Sequence, residues 1–476
     1  MTCLVAQAAV RFGDSPALID PTRTLTFRQF DQRVARAAAQ LRESGIARRD
    51  RVGIVLPNSV DQIIVIMALI RIGAIACPIS SRLPQQGVEN YLNTIDSAML
   101  ITDDPRTKID CCRIMRLSEI IATNSPNSLD SGDFSMDRPA VVIFTSGSTG
   151  DPKAVLLTLG NLYFSALGSI DNIPFGPGDR WLLSLLLYHV GGLGILFRAL
   201  AGGGAVVVAD QGRDIGDAIL QHEVTHLSLV STQLRRLLSA TESRDLIRRH
   251  LKAVLLGGSG MPPELIKRSV ERGLPIHTSY GLSEMASQVT TTPLSASHDS
   301  LRTSGRLLPY RQLRIAVSGE IEVRGETRFA GYVDGATLAS PFDSDGWFAT
   351  GDIGSLDQNG YLTVLGRRDT MFISGGENIY PEEIERALLR IDGILEAVVV
   401  PVADEAYGSR PCAFIRTEPP VDIALDRIRD ELRDFLPAFK LPDRIFCWPE
   451  GTVGSGIKPD RRLLTLLAEK LTARPH

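Results

Sequence analysis

The sequence predicts an α/β protein: a large N-terminal domain of layered α/β subdomains, then a small α+β C-terminal domain. Three observations predict it. Short apolar runs of strand length alternate with longer helical patterns through the first two thirds of the chain. Near residue 315 the pattern changes to hairpin chemistry. The 476 residues exceed what one hydrophobic core organises. Such alternation is the mark of mainly parallel sheets covered by helices, which hold ligands at the C-terminal ends of their strands.

In chain order, RVGIVLP (51–57) reads as a buried strand and SVDQIIVIMALIRIGA (59–74) as a helix with Ser59 as N-cap. The apolar run 63–70 stops at Arg71, short of the roughly 20 residues that span a bilayer. AVVIF (140–144), AVVVAD (205–210), HLSLVS (226–231) and KAVLLGG (252–258) read as further strands. GEIEVRGE (319–326) and GYLTVLGRRD (360–369) read as antiparallel strands, with DQNG (357–360) as a hairpin turn. Beyond Asp369, MFISGGENIY leads into a helix, PEEIERALLRI, with Pro381 in its first turn. EAVVVPV and PCAFIRT follow as strands, and IALDRIRDELRDFL as a last helix. The domain boundary falls at 366–370, dividing 1–366 from 367–476. The polar segment 122–138 reads as a mobile connection.

Net charge is −4, from 51 basic and 55 acidic residues, with no long block of one sign. That argues against a nucleic-acid surface and a polybasic membrane patch, so an anionic ligand needs a local site. The six cysteines, Cys3, Cys77, Cys111, Cys112, Cys412 and Cys447, show no CxxC spacing. They read as reduced thiols of a cytoplasmic protein without structural zinc. No signal peptide is expected from the N-terminal residues.

The stretch FTSGSTGDPK (144–153) directly follows the strand AVVIF. Its glycines let backbone N–H groups surround phosphate oxygens, its hydroxyls add donors, and Lys153 adds charge. It does not fit the Walker A pattern. On spacing alone it reads equally as a solvated turn or a phosphate cradle.

Its wording, TSGSTGDPK, resembles the phosphate loop of the adenylate-forming superfamily of acyl-CoA synthetases, luciferases and adenylation domains. Companions follow in order: GGSG (257–260), SYGLSE (279–284), TGD (350–352), GRRD (366–369) and GIKPDRR (456–462). Two departures stand out, Ser283 where the family usually has Thr, and GIK where it usually has GK. The resemblance implies that Thr145, Ser146, Gly147, Ser148, Thr149, Gly150 and Lys153 hold the ATP phosphates, and that Glu284 is catalytic and binds Mg²⁺. It implies that Gly257, Gly258, Ser259, Ser279, Tyr280, Gly281, Ser283, Asp352 and Arg367 hold adenine and ribose. Lys458 is then the adenylation lysine, on a C-terminal domain that turns about a hinge at Asp369 to let CoA enter.

LLSLLLYHVGGLGILFRALAGGGAVVV (182–208), SGGENIYPEEIE (374–385) and GSGIK resemble the branch that makes 2-succinylbenzoyl-CoA in menaquinone synthesis. His189 and Arg198 are then acyl-substrate residues. Arg198 lies on an apolar stretch, where an unpaired charge is costly, so it should meet an anion such as the second carboxylate of 2-succinylbenzoate. The alternatives are a CoA ligase for another aromatic or fatty acid, an adenylation enzyme loading a separate carrier protein, and a non-catalytic nucleotide-binding regulator. Small-molecule carboxylate, ATP and CoA are the expected partners, with no nucleic acid and no membrane span, and with room for a homodimer.

Overall fold

The computed structural model describes residues 3–121, 135–145, 153–210, 212–239, 249–258, 261–417, 425–449 and 460–472. Contacts divide the chain into two compact units. One comprises 1–258, 269–313 and 323–348, the other 259–268, 314–322 and 349–476.

The first unit holds two large sheets. In the nine-stranded sheet, Ile276–Leu282, Ala253–Leu256, His226–Leu229, Arg180–Leu182, Ala205–Val207 and Pro16–Ile19 run parallel in that order. Thr24–Thr26 closes one edge antiparallel; Ser287–Thr291 and Arg306–Leu307 close the other. In the eight-stranded sheet, Arg113–Met115, Met99–Thr102, Arg51–Val55, Ile75–Pro78 and Pro139–Thr145 are parallel. Lys153–Thr158, Gly331–Asp334 and Thr337–Ala339 extend it antiparallel. The central strands are apolar on both faces, as expected of parallel strands covered by helices.

Between strands, local chemistry sets the helices. Val60–Ile72 begins where Ser59 Oγ accepts the N–H of Gln62 at 3.0 Å, and ends at Gly73 in the left-handed region (φ 85°). Only Asp61 and Arg71 of this helix escape burial. Phe27–Glu43 opens with a reciprocal capping box between Thr26 and Gln29. No described helix is long and apolar enough to cross a membrane. Residues 122–134 of the expected mobile connection lie outside the described residues; Arg138, at its far end, is buried and donates Nη2 to the carbonyl of Ile70. All six cysteines are free.

Arg311–Ile315, Glu320–Gly325, Phe348–Leu356 and Leu362–Arg367 form a four-stranded sheet. The last two strands are joined by the expected hairpin turn, where Asp357 Oδ1 accepts the N–H groups of Asn359 and Tyr361.

In the second unit, Phe372–Ser374 and Glu377–Ile379 pair through Gly375 and Gly376, both at positive φ (58° and 88°), as a tight two-residue hairpin requires. Helix Pro381–Leu388 starts on proline, which needs no N–H there. Strands Ile394–Asp404 and Gly408–Thr417 pair antiparallel, and Arg444–Cys447 joins parallel. Ile384, Leu388, Val399, Ala413, Ile428 and Leu432 build the core beneath them. The helix Leu425–Leu432 ends earlier than its sequence pattern, because residues 433–435 tighten into i→i−3 turns ahead of Pro437.

Candidate active site

Thr145 ends the strand Pro139–Thr145, and its cross-strand partner is Lys153. The two ends of the expected phosphate loop therefore face each other; Ser146, Gly147, Ser148, Thr149 and Gly150 lie outside the described residues. Lys153 is exposed, with Nζ 5.0 Å from the ring centroid of Tyr332. The Tyr332 hydroxyl donates to Glu284 Oε1 at 2.8 Å. Glu284 sits in the single turn Ser283–Met285 that ends the strand Ile276–Leu282, and its carbonyl accepts the N–H of Phe329 at 2.8 Å. Glu284 Oε2 accepts no hydrogen bond among the described residues. A partly exposed carboxylate with one open oxygen fits Mg²⁺, which binds one or two carboxylates together with substrate phosphates. No cluster of three or more His, Cys, Asp or Glu able to hold a metal exists among the described residues.

Gly257 and Gly258 leave the strand Ala253–Leu256 at its C-terminal end, Gly258 at φ 83°. A Cβ on Gly257 would lie 2.9 Å from Ser279 Oγ, which itself donates to the carbonyl of Leu256 at 2.8 Å. Tyr280 is half-buried, Gly281 exposed, and the pairing shifts register between them. A Cβ on Gly281 would fall 2.1 Å from the carbonyl oxygen of Ser287, so only glycine fits. Adjacent strands thus bring Gly257, Gly258, Ser279, Tyr280 and Gly281 together beside Ser283 and Glu284; Ser259 lies outside the described residues.

Asp352 and Arg367 are cross-strand partners in the second unit. Arg367 Nη1 donates to Asp352 Oδ1 at 3.2 Å, and its Nε and Nη2 form a fork on Asp369 at 2.8 and 3.1 Å. The expected hinge residue is thereby tied to the expected ribose pair. Lys458 lies outside the described residues. Beyond it, Arg461 bridges Glu385 (2.8 Å) and Glu382 (3.4 Å) and donates to the carbonyl of Val399 at 2.7 Å.

His189 occupies the N-cap position of the helix Val190–Gly202 without capping it through its side chain, and its ring lies 4.6 Å from that of Tyr188. Arg198, on the same helix, is 1% exposed. Its Nε donates to Ser169 Oγ at 2.7 Å and its Nη2 to Gln288 Oε1 at 2.6 Å, with the guanidinium 4.7 Å from the Trp181 ring. Nη1 has no hydrogen-bond partner among the described residues. It lies over Gly194, where a Cβ would come within 3.3 Å. Burial pushes the Arg198 pKa down to about 10. Arg311, also buried, donates Nε to the carbonyl of Gln288 at 2.5 Å and Nη2 to Ser165 Oγ at 3.0 Å. Burial, reinforced by the Arg198 charge, pushes its pKa down to about 9. Neither arginine meets a carboxylate among the described residues.

Sequence reasoning missed Tyr332, Ser169, Trp181, Gln288 and Arg311. Tyr332, in FAGYVDG, carries no local signal, because its neighbours are assembled by strand pairing. Arg311, in RQLRI, is no more conspicuous in the sequence than Arg314 of the same strand; its burial comes from the elements packed on it.

Glycine-rich turns at the ends of parallel strands, beside a carboxylate open to a hard cation, define a nucleotide-binding α/β enzyme. Residues 5–333 match the model of the AMP-binding enzyme family, and residues 383–451 that of the AMP-binding enzyme C-terminal domain. The chain belongs to this family. It is 32% identical over 443 residues to a 2-succinylbenzoate–CoA ligase of Geobacillus sp. (strain WCH70), covering 90% of each chain. It is 32% identical over 444 residues to the 2-succinylbenzoate–CoA ligase of Bacillus subtilis (strain 168), again over 90% of each. Among solved structures, it superposes on o-succinylbenzoate CoA synthetase from Bacillus subtilis in complex with its acyl-adenylate intermediate, with a TM-score of 0.88, 30% identity and 98% of each chain covered. The same synthetase in complex with ATP and magnesium ion gives a TM-score of 0.87 at 30% identity, over 98% of this chain and 99% of the other.

Proposed function

We propose that this protein is an AMP-forming acid–thiol ligase that adenylates 2-succinylbenzoate and transfers the acyl group to CoA, in the cytoplasm, as a step of menaquinone biosynthesis. A carboxylate oxygen attacks the α-phosphorus of ATP, the bond to the bridging oxygen breaks, and pyrophosphate leaves. The CoA sulfur then attacks the acyl carbon, and AMP departs. Both steps bring anions together, so catalysis is chiefly a matter of placing cations and N–H donors.

In this reading Thr145 to Lys153 grip the β- and γ-phosphates, and Glu284 holds Mg²⁺, which supplies charge neutralisation when bound. Tyr280 and the 257–259 turn face adenine, while Asp352 and Arg367 take the ribose. Lys458 bridges the carboxylate and the α-phosphate. The domains 1–366 and 367–476 turn about Asp369 between the two half-reactions.

The observation that carries the choice of acid is Arg198. A fully buried guanidinium, held by neutral groups and with one donor nitrogen unpartnered among the described residues, is matched by an incoming anion. 2-Succinylbenzoate has one carboxylate to activate and a second for Arg198; benzoate and simple fatty acids lack the second. The test is formation of CoA thioester and AMP with 2-succinylbenzoate, benzoate and a medium-chain fatty acid side by side. Strong preference for 2-succinylbenzoate is expected; equal turnover of benzoate would refute the assignment.

A further inference from the structure

The candidate metal carboxylate is fixed at two points by one segment. Phe329 donates its N–H to the Glu284 carbonyl, and Tyr332 donates its hydroxyl to Oε1. The Tyr332 ring packs edge-on against Phe329, with centroids 4.8 Å apart, and its strand is in register with the strand that begins at Lys153. The same ring carries the Lys153 ammonium, 5.0 Å from its centroid. No ion pair joins Lys153 to Glu284 among the described residues.

A lysine meant for phosphate and a carboxylate meant for a cation are each spoiled by pairing with the other. Tyr332 gives each a neutral partner, a π face for the ammonium and a hydroxyl for the carboxylate. We propose that Tyr332 is a positioning residue that keeps Lys153 and Glu284 apart and, by occupying Oε1, presents Oε2 to the metal. The inference rests on the reading of Glu284 as the magnesium ligand.

Tyr332→Phe keeps the ring and removes the hydroxyl. Mn²⁺ binding is followed by electron paramagnetic resonance in the presence of a non-hydrolysable ATP analogue, for the wild type, Tyr332→Phe and Glu284→Gln. Mg²⁺ dependence of ATP–pyrophosphate exchange is measured in parallel. Tyr332→Phe is expected to weaken Mn²⁺ binding about ten-fold, the worth of a hydrogen bond to a charged group. Its exchange rate should recover toward wild type as Mg²⁺ is raised, with KM for 2-succinylbenzoate unchanged. Tyr332→Leu, which also removes the ring, should raise KM for ATP as well. Wild-type Mn²⁺ affinity in Tyr332→Phe, with weakened affinity in Glu284→Gln, overturns the inference and leaves the Glu284 reading standing. A rate loss in Tyr332→Phe that no Mg²⁺ concentration relieves marks a merely structural role and also overturns it. Wild-type Mn²⁺ affinity in Glu284→Gln removes the Glu284 reading itself.

Discussion

Arg198 in the first unit and Arg461 in the second make opposite settlements of the same charge. Arg461 keeps 30% of its side chain exposed, yet it has two carboxylates, Glu385 and Glu382, and a carbonyl. Burial alone would lower its pKa, but the two carboxylates outweigh burial and hold it above the ordinary arginine value. Arg198 is almost wholly buried and has, among the described residues, a hydroxyl, an amide oxygen and a tryptophan face as its partners. The charge of Arg461 is compensated inside the fold. That of Arg198 meets no carboxylate among the described residues, which in the function proposed above leaves room for the second carboxylate of the substrate.

Arg198→Leu tests the contrast most strongly. kcat/KM for 2-succinylbenzoate should fall by about 100- to 1,000-fold, the scale of a truncated buried charge pair. KM for ATP should change little, and the denaturation midpoint in urea should hold or rise, because no internal carboxylate loses its partner. A large stability loss would make Arg198 another Arg461.

His226 sharpens the same point. It shares Trp181 with Arg198, its ring centroid 5.0 Å from that of the indole, and its Nε2 faces the carbonyl of Pro174 at 3.0 Å. Burial first, then the positive charges of Lys252 and Arg198, outweigh Asp179 and push its pKa from 6.5 down to about 4. Between those values the unfolded chain binds the extra proton and the folded one does not. Stability should therefore fall as pH drops from 6.5 toward 4, by up to about 3 kcal/mol in all. Urea titrations across that range should show the slope, and His226→Asn should flatten it.

Arg461→Leu is the counterpart. It strands Glu385, whose side chain is 13% exposed. The loss should be about 2–3 kcal/mol, between a surface ion pair and a fully buried one, read as a lower urea midpoint for the second unit. The least effect belongs to Gly194→Ala. The added methyl presses on Arg198 Nη1, so KM for 2-succinylbenzoate should rise only about three-fold, with KM for ATP unchanged.

Features of the fold written in neighbouring residues were legible in the sequence. The Ser59 cap, the 357–360 turn and the apolar central strands need nothing beyond their own neighbourhood. The antiparallel edges of the two large sheets were not legible, because Gly331–Asp334 joins Lys153–Thr158 across more than 170 residues of chain. The site divides the same way. Arg198 stood out as a charge on an apolar helix, but Ser169, Trp181 and Gln288, from three other elements, meet it only in three dimensions. Tyr332 was invisible for the same reason, while the phosphate-loop wording was visible because its chemistry is contiguous.

Because Thr145 and Lys153 are register partners, the seven residues between them join two points one strand spacing apart. The flanking strands are held by their own ladder, and even doubling such a loop costs only about 0.6 kcal/mol in closure entropy. The ladder from Thr145 and Lys153 back to Pro139 and Thr158 stands on its own pairs, so a change in the length of chain between them should leave the register of the two strands in place.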